Sequence, residues 1–267
     1  MEVAARFGLR STPFTSEISV AELFPHPQRT LALESLLQAV EQRMSAALIA
    51  PAGLGKTSLL RELRDRLPDV RYAVRYVKVT DLSKRDMCRE IAAALGLPPV
   101  GTYPGLVRAV QDAVERRVHD DGVRTVLILD EAHEMRADVL GMLRLLTNFN
   151  MDSRLVLSVI LAGQPPLAQL LRRPELEDLA QRLTWYGSLR HLTRDELRAY
   201  VIHRCAVVGA AANTFDDRAM EALFEMGKGN PRATDHLARR ALEVANQAGL
   251  DRVGAAHVIT ARGTLQP

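Results

Sequence analysis

Apolar positions along this chain follow two periods in turn. Short runs that are continuously apolar, or that alternate with polar residues, predict five strands at 46–49, 70–79, 126–129, 155–161 and 183–189. Between them apolar residues recur every three to four positions and predict helices over 28–43, 57–67, 83–95, 104–119 and 139–146, with Pro68 and the pair Gly96 and Pro98 as stop signals. From Thr193 onward only the helical period remains. Thr193-Arg194-Asp195-Glu196 reads as a capping start, and further helices are expected over 216–226, 231–248 and 254–261. Strands alternating with helices imply an α/β fold: a parallel five-stranded sheet between helices, joined by right-handed crossovers, with a small C-terminal helical lid. The expected boundaries are an N-terminal extension and helix over 1–44, the α/β core over 45–190, the lid over 191–262 and a tail over 263–267.

Composition narrows the class. The 267 residues are 47% hydrophobic, 25% charged and only 4% aromatic, which suits a helix-rich globular chain large enough to bury a core. The net charge of +3 permits contact with nucleic acid without demanding it. Only four of the 35 basic residues are lysines, namely Lys56, Lys78, Lys84 and Lys228, so each is worth locating. Cys88 and Cys205 lie far apart with no metal-ligand spacing, and two buried reduced thiols are expected. No apolar run reaches the roughly 18 residues of a membrane span, and the first residues lack the apolar core of a signal peptide, so a cytoplasmic protein without membrane contact is expected.

The chemistry concentrates at strand ends. Between the first predicted strand and the next helix stands Ala50-Pro51-Ala52-Gly53-Leu54-Gly55-Lys56-Thr57, followed by Ser58. A glycine-rich turn entering a helix offers backbone N–H groups and the positive end of the helix dipole to phosphate. In that pattern Lys56 neutralises the β and γ oxygens of a nucleoside triphosphate such as ATP, and the Thr57 hydroxyl ligates Mg²⁺. Pro51, Ala52, Gly53, Leu54, Gly55, Lys56, Thr57 and Ser58 are the expected nucleotide-binding set. The opening glycine of this P-loop pattern is replaced by Ala50, a change compatible with a negative φ. The run Val126-Leu127-Ile128-Leu129 ends in Asp130-Glu131, as a buried strand feeding an active-site edge should. Asp130 is expected to hold Mg²⁺ through water, and Glu131 to orient and polarise the attacking water. Asp-Glu-Ala-His also occurs in DEAH helicases, but the chain is too short for two helicase cores, and His133 reads as a local helix-start residue. Gln164, just past the fourth strand, can hydrogen-bond the γ-phosphate or the lytic water. Arg182 and Arg232 stand where an arginine can neutralise charge in the transition state.

Together these residues resemble the ExeA-type branch of the AAA+ ATPases, which includes the TniB, TnsC and MuB-like transposition regulators. The resemblance runs from about Phe7 to Leu250. It is carried by Phe7-Gly8-Leu9 with Pro13-Phe14, the P-loop, Leu127 to His133, Leu143 to Phe149, Leu161 to Leu167, Ala180-Gln181-Arg182 and Gly229-Asn230-Pro231-Arg232. It implies Gln164 as sensor 1, Arg182 as arginine finger and Arg232 as sensor 2, within a P-loop ATPase core over 45–190. Ala50 and His133, the latter in place of a common Gln, depart from the family pattern. The function expected first is a transposition regulator that binds ATP and Mg²⁺, oligomerises as a ring or helical filament on double-stranded DNA without base specificity, and recruits a transposase, with a target-selection adaptor as a further partner. The alternatives are the secretion-associated ATPase that gives the branch its name, whose family continues into a membrane span and a cell-wall-binding region, and an NTP-dependent signalling switch. In the resembling transposition ATPases the end of the second strand faces DNA, which makes Lys78, Thr80, Lys84 and Arg85 the DNA-contact candidates, although Asp81 and Asp86 interrupt them. No aromatic residue interleaves there, which argues against a single-strand stacking platform.

Overall fold

A computed structural model describes residues 2–149 and 155–265. Residues 266 and 267 of the expected tail lie outside the described residues, and the last helix already includes Gly263 and Thr264. The described chain forms two compact units. The first runs from Pro27 to Ala52 and from Lys56 to Leu189; the second holds the segment up to His26, Gly53 to Gly55 and the chain from Arg190 onward.

The first unit is the α/β core. Its strands are β1 (Ser45–Ile49), β2 (Tyr72–Lys78), β3 (Arg124–Asp130), β4 (Leu157–Gly163) and β5 (Leu183–Ser188). Its helices are α2 (Pro27–Glu41), α3 (Lys56–Arg66), α4 (Lys84–Ala94), α5 (Tyr103–Asp120), α6 (Ala137–Thr147), α7 (Pro166–Leu171) and α8 (Glu177–Arg182). All neighbouring strands are parallel, in the order β2-β3-β4-β1-β5. β4 therefore lies between the phosphate-loop strand and the strand that ends in Asp130. Alternate residues of each strand face opposite sides of the sheet. Ala47, Leu127, Leu129, Val159 and Leu161 join the core made with α4, α5 and α6. Ala46, Leu48, Val126, Ile128, Ile160 and Ala162 are equally buried on the other side, where α2 packs on β1 and on α3. Burying both faces explains why β3 and β4 read as unbroken apolar runs. Each fully buried Leu or Ile contributes roughly 1.5–3 kcal/mol.

The second unit is helical: α1 (Glu2–Phe7), α9 (Arg194–Val207), α10 (Asp217–Gly227), α11 (Pro231–Gln247) and α12 (Ala255–Leu265). The Thr193 capping box forms as the sequence suggests. The Thr193 hydroxyl accepts from the Glu196 N–H, and the Glu196 carboxylate accepts from the Thr193 N–H at 2.7 Å. Arg190 donates two N–H groups to that carboxylate and holds it well below the usual carboxylate range. The N-terminal segment packs among these helices: Phe7 and Phe14 join their core, and Arg204 on α9 donates to the Thr15 carbonyl at 2.7 Å. Among the described residues no helix is long and apolar enough to cross a membrane.

Within this unit Asp235 on α11 accepts from the Tyr200 hydroxyl at 2.8 Å and lies 3.8 Å from Arg204. Burial pushes its carboxyl up to about 6, against the opposing pull of Arg204 and the Tyr200 hydroxyl. The folded chain thus keeps a proton that the unfolded chain releases near pH 4. Stability should fall as pH rises from about 4 to about 6, by up to roughly 3 kcal/mol, and be insensitive to this group above that range. Urea unfolding of wild type and Asp235→Asn across this window should give curves whose difference carries that slope.

Candidate active site

The phosphate loop leaves β1 at Ala50 and enters α3 at Lys56. Ala50 is 1% exposed, its N–H donates to the Gly163 carbonyl at 3.0 Å, and its φ is not positive. The conformations reserved for glycine fall later, at Gly53 (φ 80°) and Gly55 (φ 87°). Gly53 is required twice over, because a Cβ there would also come within 2.4 Å of the Asn230 side-chain oxygen in the helical unit that Gly53 joins. The Lys56 ammonium is buried and donates to the carbonyls of Ala50 (2.8 Å) and Pro51 (3.1 Å), which fixes it within the loop.

The end of β3 supplies two adjacent carboxylates in opposite environments. Asp130 is 2% exposed and accepts three hydrogen bonds. The Thr57 hydroxyl donates to Oδ2 at 2.8 Å, the Tyr76 hydroxyl to the same oxygen at 3.1 Å, and the Glu131 N–H to Oδ1 at 2.9 Å. Tyr76 comes from β2, paired with Ile128 of β3, so it stands beside Asp130 across the strand boundary. Burial, followed by the negative charge of Asp130, pushes its phenol up to about 12, so it remains a donor. Glu131 has a left-handed backbone (φ 59°, ψ 33°), and its Oε2 is buried without a hydrogen-bond partner. A bulky residue in that conformation carries about 1 kcal/mol or more of strain, and such strain concentrates at functional positions.

His133 lies in the 3₁₀ turn Ala132–Glu134 that follows, with 8% of its side chain exposed. The Gln164 backbone N–H donates to its Nδ1 at 3.3 Å, and its Nε2 is 3.2 Å from Glu134 Oε1. Gln164 itself is half-buried at the first position beyond β4.

The remaining candidates are more dispersed. Arg182 is the last residue of α8 and is half-buried. Arg232 is exposed in the first turn of α11, and its backbone N–H donates to the Gly53 carbonyl at 3.3 Å. Lys78 and Thr80 are exposed at the end of β2. Lys84 lies 3.7 Å from Asp138, and Arg85 donates to the Gly101 carbonyl. Both cysteines are buried and free, and burial pushes the Cys88 and Cys205 thiols up to about 11 and about 12. Sequence reasoning missed Tyr76, since a tyrosine in an alternating strand carries no sign of what its hydroxyl will reach, and it assigned His133 no contact with the fourth strand end.

Residues 38–171 match the family model described as AAA domain. The chain belongs to the AAA domain family. It is an ATPase of that family. It is 32% identical over 251 residues to General secretion pathway protein A of Aeromonas hydrophila, an alignment that takes in 92% of this chain and 45% of that protein. The chain therefore spans less than half the length of the curated relative it matches. Among solved structures it resembles Cdc6p of Pyrobaculum aerophilum (TM-score 0.74, 16% identity, 94% of this chain and 70% of that one). It also resembles the RuvB Holliday junction branch migration motor of Thermotoga maritima (TM-score 0.60, 21% identity, 96% and 72%). At those identities the likeness is one of fold.

The strain at Glu131 is measurable. Glu131→Gly removes both the left-handed penalty and the unpartnered buried oxygen, and thermal or urea unfolding without nucleotide should show a protein more stable by about 1 kcal/mol. An unchanged or lower midpoint would show that the turn is not strained.

Proposed function

We propose that this chain is a Mg-ATP-driven ATPase module of the General secretion pathway protein A type, whose ATP cycle drives self-association and work on a larger partner. The observation that supports the chemistry is the convergence of Lys56, Thr57, Asp130 and Glu131 at the ends of β1 and β3, with Thr57 and Asp130 already 2.8 Å apart. The donor set fits a magnesium-bound triphosphate. Gly53 and Gly55 open the loop to phosphate, Lys56 brings charge, and one hydroxyl with one carboxylate suits a metal that takes its other ligands from water and phosphate. Among the described residues no three His, Cys, Asp or Glu side chains form a cage of their own.

In this reading Pro51 to Ser58 wrap the phosphates, and Thr57 and Asp130 hold the metal, which when bound neutralises phosphate charge. Tyr76 and the Glu131 N–H keep Asp130 aimed. The Glu131 carboxylate, unbonded at Oε2, accepts a proton from the attacking water as its oxygen bonds to the γ-phosphorus and the bond from that phosphorus to the bridging oxygen breaks, releasing ADP. Gln164 orders the same water or the γ-phosphate. Arg232 contacts the nucleotide, and Arg182 neutralises transition-state charge in the site of a neighbouring copy.

The secretion-type reading leads because a protein of that name is 32% identical over 92% of this chain. A second reading, the DNA-transposition regulator, is favoured by the exposed Lys78 and Thr80 at the β2 end. It gives the chain duplex DNA, a transposase and a target-selection adaptor as partners. Lys84 supports it less, because Asp138 lies within ion-pair distance.

Glu131→Gln should bind a slowly hydrolysed ATP analogue as wild type does while turnover falls roughly 10²–10⁴-fold; normal turnover would remove Glu131 from its role. Sedimentation with duplex DNA at low salt separates the two readings. ATP-dependent filaments that are weakened by Lys78→Glu, with a salt slope reduced by about 1, favour transposition. Indifference to DNA leaves the secretion-type reading.

A further inference from the structure

The Gly163–Gln164 peptide group is bonded on both sides. Its carbonyl accepts from the Ala50 N–H at 3.0 Å, and its N–H donates to His133 Nδ1 at 3.3 Å. The peptide is trans, so the two groups point in opposite directions, and β4 lies between β1 and β3. One side of this peptide therefore ends on the first residue of the phosphate loop and the other on the turn that carries Glu131. A glycine eases the approach, because a Cβ on Gly163 would stand 3.1 Å from the His133 backbone nitrogen and 2.9 Å from Leu167 Cδ2.

The bond also assigns the imidazole tautomer. A ring nitrogen that accepts from an N–H carries no proton, so Nδ1 is the acceptor and the ring proton is on Nε2, which lies 3.2 Å from Glu134 Oε1. Glu131 Oε2 lies 3.5 Å from Nδ1, but two acceptors form no hydrogen bond, and that oxygen stays buried without a partner. The alternative tautomer would place a proton between His133 and Glu131, pairing the carboxylate and releasing the Gln164 amide.

We propose that His133 is a positioning residue for hydrolysis: by accepting the Gln164 N–H on Nδ1 it locks the β4 end to the β3 turn and keeps the Glu131 carboxylate unbonded and turned to the substrate. The inference rests on Glu131 and Gln164 acting as the proposed function assigns them. It predicts an effect on the chemical step and not on binding, since His133 lies against the Gln164 N–H, Glu131 and Glu134, on the β3 and β4 side of the site.

Two variants separate shape from bonding. Asn places its Oδ1 where Nδ1 lies and can accept the same N–H, whereas Leu fills similar volume with no acceptor. His133→Leu should lower kcat roughly 10–100-fold, with KM for ATP and the Kd of a slowly hydrolysed analogue within about two-fold of wild type, and His133→Asn should restore at least about a third of kcat. Wild-type kcat in the Leu variant, equal losses in Leu and Asn, or a raised KM at constant kcat would each overturn the proposal. If His133→Leu fails to fold, ¹⁵N-histidine NMR of the wild-type chain decides. Its His133 resonance, assigned by its loss in His133→Asn, should show the Nε2–H tautomer, and the Nδ1–H tautomer would refute the lock. Glu131→Gln run alongside keeps the two levels apart. An inactive Glu131→Gln with a fully active His133→Leu defeats only this inference, and an active Glu131→Gln defeats the reading on which it rests.

Discussion

The candidate catalytic edge of the sheet is bridged by one peptide group. Ala50, Gly163 and His133 belong to segments distant in sequence, and the Gly163–Gln164 amide ties all three through its carbonyl and its N–H. Such a bridge is available only because β4 sits between β1 and β3. With those two strands adjacent, no backbone group could face both the phosphate loop and the acidic turn. The parallel order thus does more than bury apolar strands. It places a polar backbone group, in a low-dielectric setting where hydrogen bonds are directional and costly to lose, between the part that holds phosphate and the part proposed to activate water.

The same edge puts two neighbouring carboxylates into different environments. Asp130 is saturated by Thr57, Tyr76 and the backbone of Glu131, so it is fixed and suited to hold charge in one place. Glu131 is the reverse: strained in its backbone and left with a buried, unbonded oxygen. An uncompensated acceptor costs stability, and it persists here because the surrounding bonds determine its position. Where two like groups stand side by side, contrasting environments assign their roles more firmly than identity does. The contrast follows from β2 and the 3₁₀ turn, neither of which carries a signature motif.

Much of the core was legible because its physics is local. Leu127, Ile128 and Leu129 read as a buried strand since both faces of a parallel sheet are dry, and all three are at most 1% exposed. Thr193 and Glu196 signalled a helix start because a capping box is closed within four residues. The illegible parts are non-local. Nothing in the order of strands along the chain says that the fourth inserts between the first and the third. The six-residue helices α1, α7 and α8 are too short to establish a period. Tyr76 is 43% exposed and looks like a solvated edge residue until β2 pairs with β3 and brings its hydroxyl to Asp130. The N-terminal segment, set apart from the core in sequence as an extension, groups up to His26 with the C-terminal helices through bonds such as Arg204 to Thr15, a partnership across most of the chain.

Ala50 shows how a departure from a motif is judged by geometry. A glycine is favoured where φ is positive or where a Cβ is crowded. Gly53 meets both conditions, Gly55 the first and Gly163 the second. Ala50 meets neither. It is buried at the end of β1, its N–H is spent on Gly163 and its carbonyl receives Lys56, so both backbone groups are bonded and its methyl group is packed in the interior. A side chain there adds apolar burial to a position that already works as the last step of a strand. The opening position of the loop is thus governed by the sheet and not by the phosphate, while the glycines that follow remain governed by the phosphate loop's own turn.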